Sequence, residues 1–209
     1  MKLLLTSAGI TNESLAKELK ALVKDKIKIA FIPTAANTSG EEKSWLVKNY
    51  NECEKLGEIY ITDISAVEKK IWLPILTKAN VIVVGGGDSV YLMEQIIKSG
   101  LKDELPNLLK NRLYVGISAG SIVTNKKLSA SSKFLYGDEK KNSPLGLGYV
   151  DFYVRPHLNS PDFPKMRDIY LKEVAKELDD DLYALDDNSA VLYIDGKIKV
   201  ISEGKWKKY

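Results

Sequence analysis

A serine set among glycines, Gly116-Ile117-Ser118-Ala119-Gly120, stands upstream of the chain's single histidine, His157. A serine hydroxyl is a weak nucleophile until a neighbouring base takes its proton, and histidine is the side chain whose ordinary titration range suits that task near neutrality. A serine hydrolase built on this chain therefore has one imidazole to use. The G-x-S-x-G string also fits a plain glycine-rich turn whose serine caps a helix, and its surroundings weigh between the two. Leu113-Tyr114-Val115 is an apolar, β-prone run, and Ser121 to Lys127 can continue as a helix, which together supply the strand, sharp turn and helix of a nucleophile elbow. One glycine then permits the tight turn and the other lets the helix pack closely, so that Ser118 projects from the carboxyl end of a strand.

A second glycine string, Gly85-Gly86-Gly87-Asp88-Ser89, follows the apolar run Asn80 to Val84. It lacks the Lys-Ser/Thr of a P-loop and the spacing of a dinucleotide fingerprint, so nucleotide binding is a weak reading. In a hydrolase its use is a backbone N–H donor to a developing oxyanion, joined by the N–H of Ala119, the residue after the serine. His157 follows Pro156 in a loop and lies off any periodic apolar face, which favours a reactive base over a core histidine. One histidine and one cysteine leave only carboxylates for a metal, and no His-Glu-x-x-His string exists. Neither a metal nor a cofactor is expected.

The elements that must hold these residues alternate. Lys2 to Leu5 reads as a strand; Asn12 caps a helix with Leu15, Leu19, Leu22 and Val23 on one face; Ile27 to Ile32 is a strand stopped by Pro33. A helix over about Glu41 to Leu56, a strand Glu58 to Thr62 and the strand Asn80 to Val84 continue the order, and Asp88 caps a helix Val90 to Lys98 that ends at Gly100. The wholly apolar Val81 to Val84 suits a strand covered on both faces, as in a parallel sheet flanked by helices. Ser129 to Asn142 is polar and irregular, long enough for a functional loop. Pro164 opens a helix carrying Met166, Ile169, Tyr170, Val174 and Leu178. Leu182 to Leu185, Ala190 to Ile194 and Lys197 to Ile201 read as short strands, the last two joined by the hairpin turn Asp195-Gly196. The basic tail Lys205 to Tyr209 reads as a frayed terminus.

Composition narrows the partners. At 209 residues with 44% hydrophobic and 28% charged, the chain can bury a substantial core and reads as one domain, residues 1–209. A net charge of +3, with Lys and Arg scattered beside Asp and Glu, gives no reason to expect nucleic acid. Cys53 is the only cysteine and falls at helical spacing with Leu46 and Tyr50, the pattern of a buried structural thiol. No apolar run reaches the length of a signal core or a membrane span, so no membrane association and a cytoplasmic location are expected. Oligomeric state is not legible.

Taken in order, the Gly85 to Ser89 turn, Gly116 to Ser121, Arg155-Pro156-His157 and Leu185-Asp186-Asp187-Asn188-Ser189-Ala190 resemble the S51 peptidases, the group of peptidase E and cyanophycinase, over essentially the whole chain. The resemblance implies a mostly parallel α/β sheet flanked by helices, of the class I glutamine amidotransferase-like, flavodoxin type, here with a C-terminal β-hairpin. It implies hydrolysis of short peptides without a metal. Ser118 matches the family's nucleophile and His157 its base, while Gly86, Gly87 and Ala119 fall in the segments that supply the oxyanion site. Peptidase E places an aspartate on the loop between serine and histidine. That loop offers Asp138, Glu139 and, near its end, Asp151; an ungapped match lands on Lys133, and allowing a change of loop length selects Asp138, with Glu139 next. A Ser-His pair held by a backbone carbonyl is the alternative. Arg167 matches by local pattern an arginine in the same segment of peptidase E, and Arg155 precedes the base by two residues; either guanidinium could grip an acidic side chain or a peptide C-terminus. A substrate with an N-terminal aspartate is the resulting expectation. A catalytically silent binding module on the same sheet and a serine esterase are the competing readings.

Overall fold

A computed structural model describes residues 1–40, 42–128 and 145–209. In its main sheet the strands β1 (Lys2–Thr6), β2 (Lys28–Ile32), β3 (Glu58–Ile61), β4 (Val81–Val84) and β5 (Leu113–Ile117) run parallel. The hairpin β8 (Ser189–Ile194) and β9 (Lys197–Ser202) adds antiparallel to β1, and its turn is the expected Asp195-Gly196, with both residues at positive φ. The seven strands lie in the order β3-β2-β4-β5-β1-β8-β9. The expected α/β class and C-terminal hairpin are both present.

Side chains alternate across the central strands, as the period of two requires. Leu4, Ile29, Phe31, Val81, Val83 and Val115 pack against helices α1 (Glu13–Leu22) and α2 (Ser44–Glu54) through Leu15, Leu19 and Cys53. Leu3, Leu5, Ala30, Ile32, Ile82 and Val84 face the other layer, built from α3 (Lys69–Lys78), α4 (Ser89–Lys98) and α5 (Leu101–Leu108) through Trp72, Leu76, Leu92, Ile96 and Leu105. Two helix starts follow the sequence reading: the Asn12 side chain accepts from Leu15 N–H, and the Asp88 carboxylate accepts from Val90 and Tyr91 N–H at 2.8 and 2.9 Å. Cys53 is buried, and desolvation pushes its thiol up to about 12.

A second, three-stranded sheet is formed by β6 (Tyr153–Arg155), β7 (Leu182–Leu185) and β10 (Trp206–Lys208), in the order β10-β7-β6. It corrects the frayed-tail expectation. Trp206 to Lys208 pairs antiparallel with Leu185 to Tyr183, and Lys207 and Lys208 form ion pairs with Asp168 and Asp181. Helix α7 (Asp168–Ala175) covers this sheet with Leu171 and Val174, whereas Ile169 and Tyr170, expected on its apolar face, are exposed. Four of these strands end at the site: the neighbours β1 and β5 in the main sheet, and β6 and β7 in the small one.

Candidate active site

Strand β5 ends in the elbow. Ser118 has φ +48° and ψ −105°, a backbone region that costs a non-glycine residue about 1–3 kcal/mol and persists only where the surroundings impose it. They impose it by close approach. A Cβ on Gly120 would lie 2.0 Å from the Val84 carbonyl oxygen, and one on Gly116 would lie 2.7 Å from the Gly120 carbonyl carbon, so the short helix α6 (Ala119–Ile122) seats directly against β4 and β5. Polar contacts lock the same corner. Ser118 N–H and the Ser121 hydroxyl both donate to the Thr6 carbonyl, at 3.1 and 2.8 Å, and the Tyr114 hydroxyl donates to Gly120 O at 2.7 Å.

The imidazole arrives from the other sheet. Beyond β6 and Pro156, His157 adopts φ +66°, a second left-handed non-glycine residue. Its N–H donates to the Ser7 hydroxyl at 2.8 Å, and the adjoining Leu158 N–H donates to the Leu185 carbonyl at 2.9 Å. The ring then reaches the serine, with Ser118 Oγ and His157 Nε2 3.0 Å apart. Phe163 stacks on the imidazole, with ring centroids 4.1 Å apart and planes inclined by 8°, and covers one of its faces.

The other ring nitrogen, Nδ1, lies 2.7 Å from Asp187 Oδ1. An ionised carboxylate only accepts, so Nδ1 carries the proton and Nε2 presents its lone pair to the Ser118 hydroxyl. The hydrogen bond from His157 is the main influence holding the Asp187 carboxyl below its ordinary range, against the opposing effect of desolvation. The ionised, accepting form of Asp187 is thereby favoured. Asp138 and Glu139, expected in this role, lie outside the described residues. Asp151 forms an ion pair with Lys126 at 3.1 Å.

These contacts make the arrangement a serine, an imidazole and a carboxylate in hydrogen-bond series, the geometry of acyl transfer. The chain matches the family model of peptidase family S51 over residues 3–201. The chain belongs to peptidase family S51. It is accordingly a serine-type peptidase, and this membership takes precedence over the esterase and silent-module readings. Among its relatives, an uncharacterized peptidase of Listeria innocua, Lin0382, is 26% identical over 81% of this chain and 82% of its own length. A peptidase E of Nostoc is 30% identical over 78% of this chain and 66% of its own. A crystal structure of a peptidase from an acI-B1 Actinobacterium shares the fold with a TM-score of 0.76 at 22% identity, covering 98% of this chain and 88% of that one.

Around the S51 serine, the segments expected to bind an oxyanion converge. A Cβ on Gly86 would stand 3.4 Å from Ser118 Cβ and 3.6 Å from the Trp45 ring, so this glycine borders Ser118 directly. Gly87 has φ +133°, and a Cβ there would lie 2.1 Å from the Ala35 carbonyl oxygen, which leaves glycine as the residue that fits. Within this turn the Gly85 and Asp88 N–H groups already donate to the Ile32 and Ala35 carbonyls, which narrows the donors for a ligand to Gly86 and Gly87. Ala119 N–H lies in the first turn of α6, immediately after the serine.

The two arginines part company. Arg155 is 1% exposed in β6 and turns Nη2 toward the Leu128 carbonyl at 3.5 Å, where the chain enters residues 129–144. Arg167 is exposed at the position preceding α7. Sequence reasoning did not assign Asp187, Ser7 or Phe163. The signal for Asp187 lies in the string Asp186-Asp187-Asn188-Ser189, a polar turn linking two predicted strands within one of the segments that carry the family resemblance.

Proposed function

We propose that Ser118, His157 and Asp187 are the catalytic triad of this peptidase and that its substrates are short peptides. The observation that carries the reading is the contact series from Ser118 Oγ to His157 Nε2 at 3.0 Å and from His157 Nδ1 to Asp187 Oδ1 at 2.7 Å. Strain at both Ser118 and His157 supports it, since such backbone conformations cluster where geometry serves chemistry. Ser118 Oγ attacks the scissile carbonyl carbon as its proton passes to His157 Nε2. The carbonyl oxygen becomes an oxyanion held by Ala119 N–H with Gly86 or Gly87 N–H. His157 returns the proton to the departing amine as the C–N bond breaks, leaving an acyl ester on Ser118. Water then adds to that ester, its proton passing to His157 and on to Ser118 Oγ as the acid leaves. Asp187 fixes the tautomer and stabilises the imidazolium at each transfer.

For specificity, the proposal is an N-terminal aspartate gripped by Arg167, whose planar guanidinium matches a carboxylate. Support comes from its exposure and from its place four residues after Phe163, which lies on the catalytic imidazole. The family match over residues 3–201 supports reading the chain as one peptidase domain.

One assay tests both levels: turnover of Asp-Leu and Ala-Leu by the unaltered chain, Ser118→Ala and Arg167→Met, with fluorophosphonate labelling alongside. Ser118→Ala should lose labelling and about 10⁴-fold or more in turnover while staying folded. Arg167→Met should lose about 30- to 1,000-fold in kcat/KM on Asp-Leu and far less on Ala-Leu. Activity retained by Ser118→Ala overturns the triad; equal losses on both peptides overturn only the specificity.

A further inference from the structure

The triad draws its members from two sheets, and one buried side chain touches both incoming segments. Strand β1 lies between β5 and β8, so the residue just past its end, Ser7, has the elbow on one side and the 186–189 turn on the other. Its main chain is tied to that turn by Ser7 N–H donating to the Ser189 carbonyl at 3.2 Å, while the preceding Thr6 carbonyl accepts from Ser118 N–H at 3.1 Å. The Ser7 side chain is fully buried.

Its hydroxyl makes two contacts of fixed sense. His157 N–H can only donate, so Ser7 Oγ accepts from it at 2.8 Å; the Asp187 carboxylate can only accept, so the Ser7 hydroxyl proton goes to Oδ1 at 3.0 Å. That Oδ1 is the same oxygen that receives His157 Nδ1–H. Ser7, the His157 main chain, the imidazole and Asp187 thus close a ring of hydrogen bonds. Two further side chains of the β1–α1 segment hold the turn from outside the ring: the Thr11 hydroxyl donates to Asp187 O at 2.8 Å, and Asn12 Nδ2–H to Asn188 O at 2.9 Å.

We propose that Ser7 is a positioning residue of the catalytic apparatus, setting the His157 backbone and the Asp187 carboxylate in register through one hydroxyl. The inference rests on the triad proposed above. Its chemical reason is that His157 holds a left-handed backbone at φ +66°, which needs external hydrogen bonds to persist, and its own N–H finds its acceptor in Ser7 Oγ. Removing the hydroxyl frees both the backbone and the carboxylate to drift, and sub-ångström drift of a general base is enough to slow proton transfer strongly. Lys48, on α2, also acts on Asp187, lowering its pKa as a nearby positive charge.

The test is a double-mutant cycle on kcat and KM with Ser7→Ala, Asp187→Ala and both together, with Ser118→Ala as control. Ser7→Ala should lower kcat about 10- to 100-fold with KM within about twofold, and should broaden or shift the downfield proton resonance of His157 Nδ1–H. In the Asp187→Ala background the same substitution should cost no more than about threefold, because the carboxylate it orients is gone. A purely structural serine would give equal losses in both backgrounds and leave that resonance in place, and either result overturns the proposal. Should Ser7→Ala not fold, Ser7→Cys keeps the volume, weakens both hydrogen bonds and is read by the same criteria. Activity in Ser118→Ala would instead bring down the triad itself; a dead Ser118→Ala with a Ser7→Ala within threefold of the unaltered chain rejects this inference alone.

Discussion

The two sheets hold their reactive residues by different physics. Ser118 ends a strand of the seven-stranded sheet, and its strained backbone is enforced by main chain packed against main chain, with α6 pressed onto β4 so tightly that Gly120 has no room for a methyl group. His157 follows a strand of the three-stranded sheet, and its strained backbone is held by hydrogen bonds from His157 N–H to the Ser7 hydroxyl and from Leu158 N–H to the Leu185 carbonyl. Asp187 lies in the turn that passes from one sheet to the other, between β7 and β8. Close main-chain packing dominates around Ser118, supplemented by hydrogen bonds to the Thr6 and Gly120 carbonyls, whereas side-chain contacts, the Ser7 hydroxyl and the Phe163 ring, dominate around His157. A sterically wedged nucleophile suits an atom that must stay put while bonds form on it, whereas an imidazole that trades protons in two directions suits a hydrogen-bonded mount.

The largest way to break this contrast is steric. Gly120→Ala puts a methyl carbon about where the Val84 carbonyl sits, and a backbone clash with no flexible neighbour to yield should cost at least about 3 kcal/mol of stability. Denaturant unfolding of the variant should show that loss. A Gly120→Ala protein of unchanged stability would mean that the elbow is not wedged.

The smallest break lies in the small sheet and is electrostatic. Asp168 joins α7 to β10 through Lys207 and the Tyr209 hydroxyl, and those hydrogen bonds bring its carboxyl down to about 2. A depressed acid contributes stability that is present above its unfolded pKa, about 3.9, and lost as pH falls through the folded value. The α7–β10 contact should therefore loosen between about pH 4 and pH 2, ahead of the main sheet. Hydrogen exchange of the Tyr209 N–H and Leu182 N–H pair at about pH 4 and about pH 2.5 reads it. Asp168→Asn should remove the pH dependence there with little effect on turnover at neutral pH. Uniform acid sensitivity across both sheets would erase the distinction.

The same division explains what was legible in the sequence. Strands of the main sheet carry their signals locally: apolar runs such as Val81 to Val84, caps at Asn12 and Asp88, the Asp195-Gly196 turn and the glycines of the elbow all read as they fold. The small sheet carries few. Its edge strand, Trp206 to Lys208, is exposed and basic and becomes a strand only because β7 offers it a partner. Helix α5, which was not read from the sequence, buries Leu101, Leu105 and Leu108 despite a proline, Pro106, in its interior. In α7 the expected Val174 is buried, with Met166 and Leu178 packed on the same cluster, but Leu171 rather than Ile169 and Tyr170 completes the apolar face.

For the site, His157 was readable because it is the chain's single histidine, and Ser118 because it alone among the serines is set in the Gly116-Ile117-Ser118-Ala119-Gly120 string. Asp187 was not singled out, because the resemblance directed the search for a carboxylate to the loop between serine and histidine, and Asp186 and Asp187 are in any case adjacent and alike on paper. Asp186 serves the turn, accepting from Asn188 N–H at 3.1 Å and the Ser189 hydroxyl at 2.6 Å, while Asp187 faces the imidazole. Only the crossing of the chain between the sheets separates the two roles.

The central claim, that the triad is completed across the sheets by Asp187, is tested most directly by kcat/KM of Asp187→Asn measured beside Asp138→Asn. An asparagine at 187 can turn its amide to Nδ1 and favour the wrong tautomer, so turnover should fall about 10⁴-fold, while Asp138→Asn should stay within about tenfold of the unaltered chain because Nδ1 is already engaged. A near-normal Asp187→Asn with a crippled Asp138→Asn would contradict the account and return the third position to the loop between serine and histidine.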